Sequence, residues 1–150
     1  MRRTLLILAI ALLVGPVSAQ PNFSSPEATL KTYLEACKAG NYEAADACYT
    51  KSSREFIAKT PKMTAGRKPE HLTGTYDRLS TLKWTVENVN QKRAIVKPDD
   101  SKVPPFYMRV QDPKEGWRID WQFMANYMRA DQNGWSWANP RAETLWKARQ

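Results

Sequence analysis

The chain has 150 residues, 25% of them charged, and Lys plus Arg (23) outnumber Asp plus Glu (15) for a net charge of +8. That length suits a single domain able to bury a core of its own, and six tryptophans with six tyrosines make the core aromatic-rich. Two cysteines with no third ligand beside them argue against a structural metal site, and the basic balance carries no nucleic-acid recognition motif.

Arg2 and Arg3 form a basic n-region, Leu5 to Val14 an apolar h-region, and Gly15-Pro16 breaks it. Val17-Ser18-Ala19 then presents the small residues that signal peptidase requires. The apolar run is too short to span a bilayer and no stop-transfer flank follows, so a membrane anchor is the weaker reading. No cysteine follows the cleavage motif, which argues against a lipoprotein. Residues 1–19 are therefore read as a signal peptide and 20–150 as one exported domain, periplasmic or secreted, with no transmembrane segment once the signal is cut. Nucleic acid is not an expected partner there.

Ser25-Pro26-Glu27 predicts a helix start, with a capping hydroxyl, proline in the first turn and an acid facing the helix dipole. Leu30, Tyr33, Leu34 and Cys37 recur at helical spacing. Gly40 ends this helix and Asn41 caps the next, whose apolar side carries Tyr42, Ala45, Cys48 and Tyr49. On one continuous helix Cys37 and Cys48 would lie about 16 Å apart, beyond disulfide reach. A hairpin at Gly40-Asn41 could bring them together, although an ideal antiparallel pair sets Cys37 nearer position 44 than 48. In an oxidising compartment a Cys37–Cys48 disulfide is the expectation, against two buried thiols; it would be worth about 3 kcal/mol.

Ser52 to Lys59 predicts a third helical piece, Thr60 to Lys68 a loop, and Pro69 to Leu79 a further short helix. Basic residues concentrate from Lys62 to Lys97, forming either a solvated face or a surface for an anionic envelope or acidic partner. After Ser80 the period changes. Trp84 and Val86 alternate with Thr85 and Glu87, Asn90-Gln91 turns, and Ala94 and Val96 point inward on the next strand. Phe106, Met108 and Val110 alternate with Tyr107, Arg109 and Gln111. After a turn at Asp112 to Gly116, a last strand is predicted with Trp117, Ile119, Trp121 and Phe123 on one face and Arg118, Asp120 and Gln122 on the other. Successive hairpins imply an antiparallel sheet with one buried face. Helices first and strands second give an α+β arrangement. Residues 124–150 form a C-terminal extension, where Trp135 and Trp137 alternate like a strand and Asn139-Pro140 starts a terminal helix. Trp135, Trp137 and Trp146 would be buried by packing on their own domain, by a lid, by a partner or by a homodimer contact.

The opening helical pair from Ser25-Pro26-Glu27 through Gly40-Asn41-Tyr42, the hairpin from Trp84 through Asn90-Gln91 to Val96, and the closing Gly116-Trp117-Arg118 together resemble the nuclear-transport-factor-2-like (SnoaL/ketosteroid-isomerase-like) superfamily, especially its small exported bacterial members of unknown function. The resemblance spans Ser25 to Phe123. It implies a cone, in which a curved antiparallel sheet wraps around the N-terminal helices and opens to an apolar pocket. Fold does not set function here, since the superfamily holds isomerases, dehydratases, cyclases and protein-binding domains.

Enzymes of that superfamily use an Asp or His base in the cone, and no such set is assigned in this chain. His71, the single histidine, falls in a basic segment. Asp120 points away from the tryptophan face of its predicted strand and is expected to pair with Arg118 or, across the sheet, with Arg109. No paired carboxylates, serine–histidine–acid set or phosphate-cradling glycine loop occurs, and no metal or cofactor is expected. The pocket-lining candidates are Tyr33, Tyr49, Trp84, Phe106, Trp117, Trp121 and Phe123, residues that equally suit an ordinary core. The expected role is non-enzymatic binding of a small apolar ligand or an envelope protein; the alternative is a small-molecule isomerase, dehydratase or cyclase.

Overall fold

In the computed structural model, residues 20–149 are described; the signal-peptide reading of residues 1–19 lies outside them. Four helices come first: α1 (Pro26–Lys38), α2 (Tyr42–Ala47), α3 (Lys51–Ala58) and α4 (Pro69–Leu79). Their ends are set by local chemistry. The Ser25 hydroxyl accepts from the Ala28 N–H at 3.1 Å, Asn41 from Ala44 at 3.1 Å, and Thr50 from Ser53 at 3.2 Å, each satisfying an orphan donor of the first turn. Gly40 takes φ +63° to leave α1, and an added Cβ there would sit 2.9 Å from the Pro69 side chain. That position needs glycine on both counts. The predicted loop from Thr60 to Lys68 holds one 3-10 turn, Pro61–Met63.

The strands β1 (Trp84–Asn90), β2 (Arg93–Pro98), β3 (Phe106–Val110) and β4 (Trp117–Ile119) form an antiparallel sheet in that order. The protein is α+β. Val86 pairs with Val96, Val96 with Phe106, and Met108 with Ile119, so these side chains share one face and pack against α1 to α4. Beyond β4 the chain of α2 returns: Ile119 donates to the Cys48 carbonyl at 2.9 Å, and Thr50 donates to the Ile119 carbonyl at 3.0 Å.

The opposite face is also covered. Ile95 and Tyr107, register partners on β2 and β3, are buried against Phe123, Ala142 and Trp146. The covering chain comprises α5 (Trp121–Tyr127), the hairpin β5 (Met128–Asp131) and β6 (Gly134–Trp137), and α6 (Ala142–Ala148). The expectation of one buried face is thus corrected: the middle of the sheet is an interior layer, and Ala94, Ile95 and Val96 are each 0% exposed.

Two further expectations are overturned. The last strand stops at Ile119, because Asp120 caps a helix: its carboxylate accepts from the Phe123 N–H at 3.4 Å and its carbonyl from Met124 at 3.2 Å. Once the period changes from strand to helix, Trp121 turns to the helical core and Phe123 to the opposite cluster. Cys37 and Cys48 are both buried free thiols, not a disulfide. Cys37 lies in the last turn of α1 while Cys48 lies just past α2, beyond the register of a straight hairpin, and the Cys48 Sγ is turned to the Ala44 carbonyl at 3.4 Å.

Candidate functional site

An unbroken series of aromatic contacts runs through the core between helices and sheet. Phe56 meets Trp121 at 6.3 Å between ring centroids, Trp121 meets Tyr49 at 6.0 Å, and Tyr49 meets Tyr33 at 6.0 Å. Tyr33 meets Phe106 edge-on at 5.6 Å, and Phe106 meets Trp84 at 5.5 Å. These separations are those of favourable aromatic pairs. The series fills the space between the helices and the sheet. Burial, with the Tyr49 hydroxyl and the Cys37 thiol adding to it, holds the Tyr33 phenol well above the ordinary tyrosine range. Burial likewise raises Tyr49. Both stay neutral hydroxyls at physiological pH.

A cleft opens at each end of this series. At one end, Tyr42, Tyr49, Ile57, Met63, Arg67, His71 and Trp121 line about 350 Å³. Here the loop after α3 folds over α2. The Arg67 guanidinium donates to Asp46 at 2.7 and 3.3 Å and to the Met63 carbonyl at 2.9 Å. It lies over the Tyr42 ring, 4.6 Å from the centroid. A cation stacked on an aromatic face and forked onto a carboxylate is a stiff wall. His71, in the first turn of α4, is exposed at the rim. At the other end, Leu30, Leu34, Tyr76, Trp84, Val86 and Val96 line about 300 Å³, and the Trp84 indole donates to the Leu79 carbonyl at 3.3 Å.

The structure therefore divides the seven pocket candidates. Tyr49 and Trp121 line the first cleft and Trp84 the second. Tyr33 and Phe106 lie between the two as packed core. Trp117 packs half-buried at the edge of the helical core, where its N–H donates to the Phe23 carbonyl at 2.8 Å. Phe123 lies on the other face of the sheet. Sequence reasoning missed Met63 and Arg67 as lining residues. Arg67 was visible only as one of a basic run, and its place over Tyr42 depends on how the loop folds back.

The three tail indoles lie over the outer sheet face. Trp146 is 1% exposed, edge-on to Tyr107 at 4.9 Å, and Trp137 packs on Tyr107 at 5.5 Å. Trp135 is half-buried against Trp137 at 5.3 Å. Asp120 pairs with Arg109, Nε to Oδ2 at 2.8 Å, as expected across the sheet. Burial pushes the Cys37 thiol up to about 11 and the Cys48 thiol to about 12, which leaves neither as a thiolate nucleophile. Among the described residues no group of His, Cys, Asp and Glu is placed to hold a metal ion, and no helix is long and apolar enough to cross a membrane.

Compared with family models, curated proteins and solved structures, the chain matches none of them.

Proposed function

We propose that this protein is an exported binding domain of the cell envelope that holds a small apolar, ring-bearing ligand in the cleft of Tyr42, Tyr49, Arg67 and Trp121. One observation carries the reading. The interior between helices and sheet is packed with aromatic rings, while the cleft at its end is bordered by the rings of Tyr42, Tyr49 and Trp121 and by the fixed Arg67 guanidinium. Ring faces and an oriented cation bind by stacking and need no proton transfer. The envelope location rests on the basic, apolar and small-residue order of residues 1–19. The helices-over-sheet layout is compatible with the nuclear-transport-factor-2-like superfamily, and membership remains part of this proposal.

A titration with the neutral dye N-phenylnaphthylamine tests the reading. Saturable enhancement is expected, weakened by at least about tenfold in Trp121→Ala and unchanged in Trp135→Ala. Equal weakening in both variants, or none in either, counts against the cleft. The second reading, an isomerase, dehydratase or cyclase, is favoured by one observation: His71 borders the same cleft as two tyrosines. Turnover of a small-molecule substrate that is lost in His71→Ala would select it.

A further inference from the structure

On the sheet face opposite the helices, Arg93 of β2 and Arg109 of β3 are register partners. Side chains of directly opposed residues leave the sheet about 5 Å apart, and like charges so placed destabilise it. The chain beyond α6 brings a third arginine to the same place: Arg93 Nε donates to the Arg149 carbonyl at 2.7 Å. The three arginines line a cleft of about 250 Å³ in which Asp120 is the single carboxylate among the described residues. That carboxylate is already engaged, accepting the Trp146 indole at 3.0 Å and the Phe123 N–H at 3.4 Å. Gln122 and Asn126, one helical turn apart on α5, add amides to the wall.

Two features of the arginine side chains distinguish this cleft. Arg93 is 7% exposed, its guanidinium packed over the Trp146 ring at 4.8 Å. Among the described residues Nε makes the only hydrogen bond from that guanidinium, so its terminal nitrogens have no acceptor among those residues and border the cleft. Arg109 Nε is fully buried and makes no hydrogen bond of good geometry, although it lies 2.8 Å from Asp120 Oδ2. Its N–H direction misses that oxygen. A buried donor without a well-aimed acceptor, as at Arg109 Nε, is costly, even though Arg109 is charge-paired with Asp120 and its terminal nitrogen donates to Ser52 Oγ at 3.0 Å.

We propose that Arg93, Arg109 and Arg149 form a binding site for a phosphate group, held by forked guanidinium contacts on the outer face of the sheet. Guanidinium forks match phosphate oxygens bidentately and in a plane. Burial, then the neighbouring Arg109, lowers the Arg93 pKa from its ordinary value; a bound anion offsets both. The site is separate from the aromatic cleft, being built on the other side of the sheet. A free phosphate and a phospholipid headgroup offer the same chemistry, so the test has an arm for each.

Inorganic phosphate is titrated into the full chain at constant ionic strength, with the change in total tryptophan fluorescence, absent in Trp146→Phe, as the readout and chloride as the control. Saturable binding is expected, weakened about tenfold or more in Arg149→Gln and in Arg93→Lys. The first variant changes an exposed side chain, and the second retains the charge while removing the fork. Near-ultraviolet circular dichroism verifies that each variant is folded. In the second arm, phosphatidylglycerol vesicles are compared with phosphatidylcholine vesicles. Binding to the anionic vesicles alone, sensitive to Arg149→Gln, identifies a lipid headgroup as the source, and binding of inorganic phosphate identifies a soluble one. A response to phosphate no larger than to chloride, together with no preference for anionic vesicles, overturns the proposal. So does binding that both variants leave unchanged.

Discussion

The Trp146 indole N–H reaches Asp120 Oδ2 at 3.0 Å, so the last helix is fastened to the residue that follows β4 and caps α5. Asp120 is 5% exposed and lies beside Arg109. In this arrangement one carboxylate starts a helix, opposes a cation and holds an indole. Trp146→Phe keeps most of the ring and removes the donor. The variant is expected to lose about 1–3 kcal/mol of unfolding free energy, and Trp146→Ala about 3–5 kcal/mol. Urea denaturation measures both, and a Phe variant as stable as the parent would show that the indole N–H adds nothing.

Removing the chain after Asn126 tests the tail as a structural layer. It strips Trp137, Ala142 and Trp146 from Ile95, Tyr107 and Phe123. The shortened chain is expected to lose its sharp thermal transition and to bind a hydrophobic dye over an exposed sheet face. Retention of a cooperative transition within roughly 1 kcal/mol of the full chain would mean that the helices alone hold the sheet.

Gly116 takes φ +73°, and a Cβ there would collide with the Phe23 carbonyl, which also accepts the Trp117 N–H at 2.8 Å. Gly116→Ala therefore strains the backbone and pushes the N-terminal segment off β4. A cost of about 1–3 kcal/mol is expected, with faster amide exchange at Trp117. Unchanged exchange at that amide would show that the segment yields freely.

The free thiols predict a pH dependence whose sign is fixed. The folded values, about 11 for Cys37 and about 12 for Cys48, lie above the ordinary 9.0. Their contribution to stability is whole below pH 9 and is lost as pH rises through 11 and 12. At pH 9, alkylation of the native protein is expected to be at least about hundredfold slower than alkylation of the urea-unfolded chain. Equal rates, or two thiols that appear only after reduction, would contradict the structure.

The helical half was legible because its ends are marked by short-range chemistry: Ser25-Pro26, Gly40 and Asn41 sit where their caps and turns require. The β1–β2–β3 hairpins followed from alternation. The sequence Trp117, Ile119, Trp121, Phe123 misled, since large residues at every second position satisfy a strand period. Only the capping carboxylate of Asp120 marks the change to a helix. The apolar Ile95 and Tyr107, set between inward-facing residues, were the local sign of a second buried face. The arginine cleft was not legible in the same way, because its charges lie on three separated segments and only strand register brings two of them together.

The return of residues 48–50 along β4 makes the two borders of the sheet unequal. On the β4 side, the backbone partners of Trp117 and Ile119 are taken by Phe23, Cys48 and Thr50. On the β1 side, no strand among the described residues lies beyond Trp84–Asn90. Growth by strand addition needs two open edges, one to attach and one to offer. This sheet has one, so two copies meeting edge to edge exhaust it. Strand pairing between copies of this sheet can end in a closed pair related by a two-fold axis, and growth of the same sheet beyond that pair requires the 48–50 segment to be prised away.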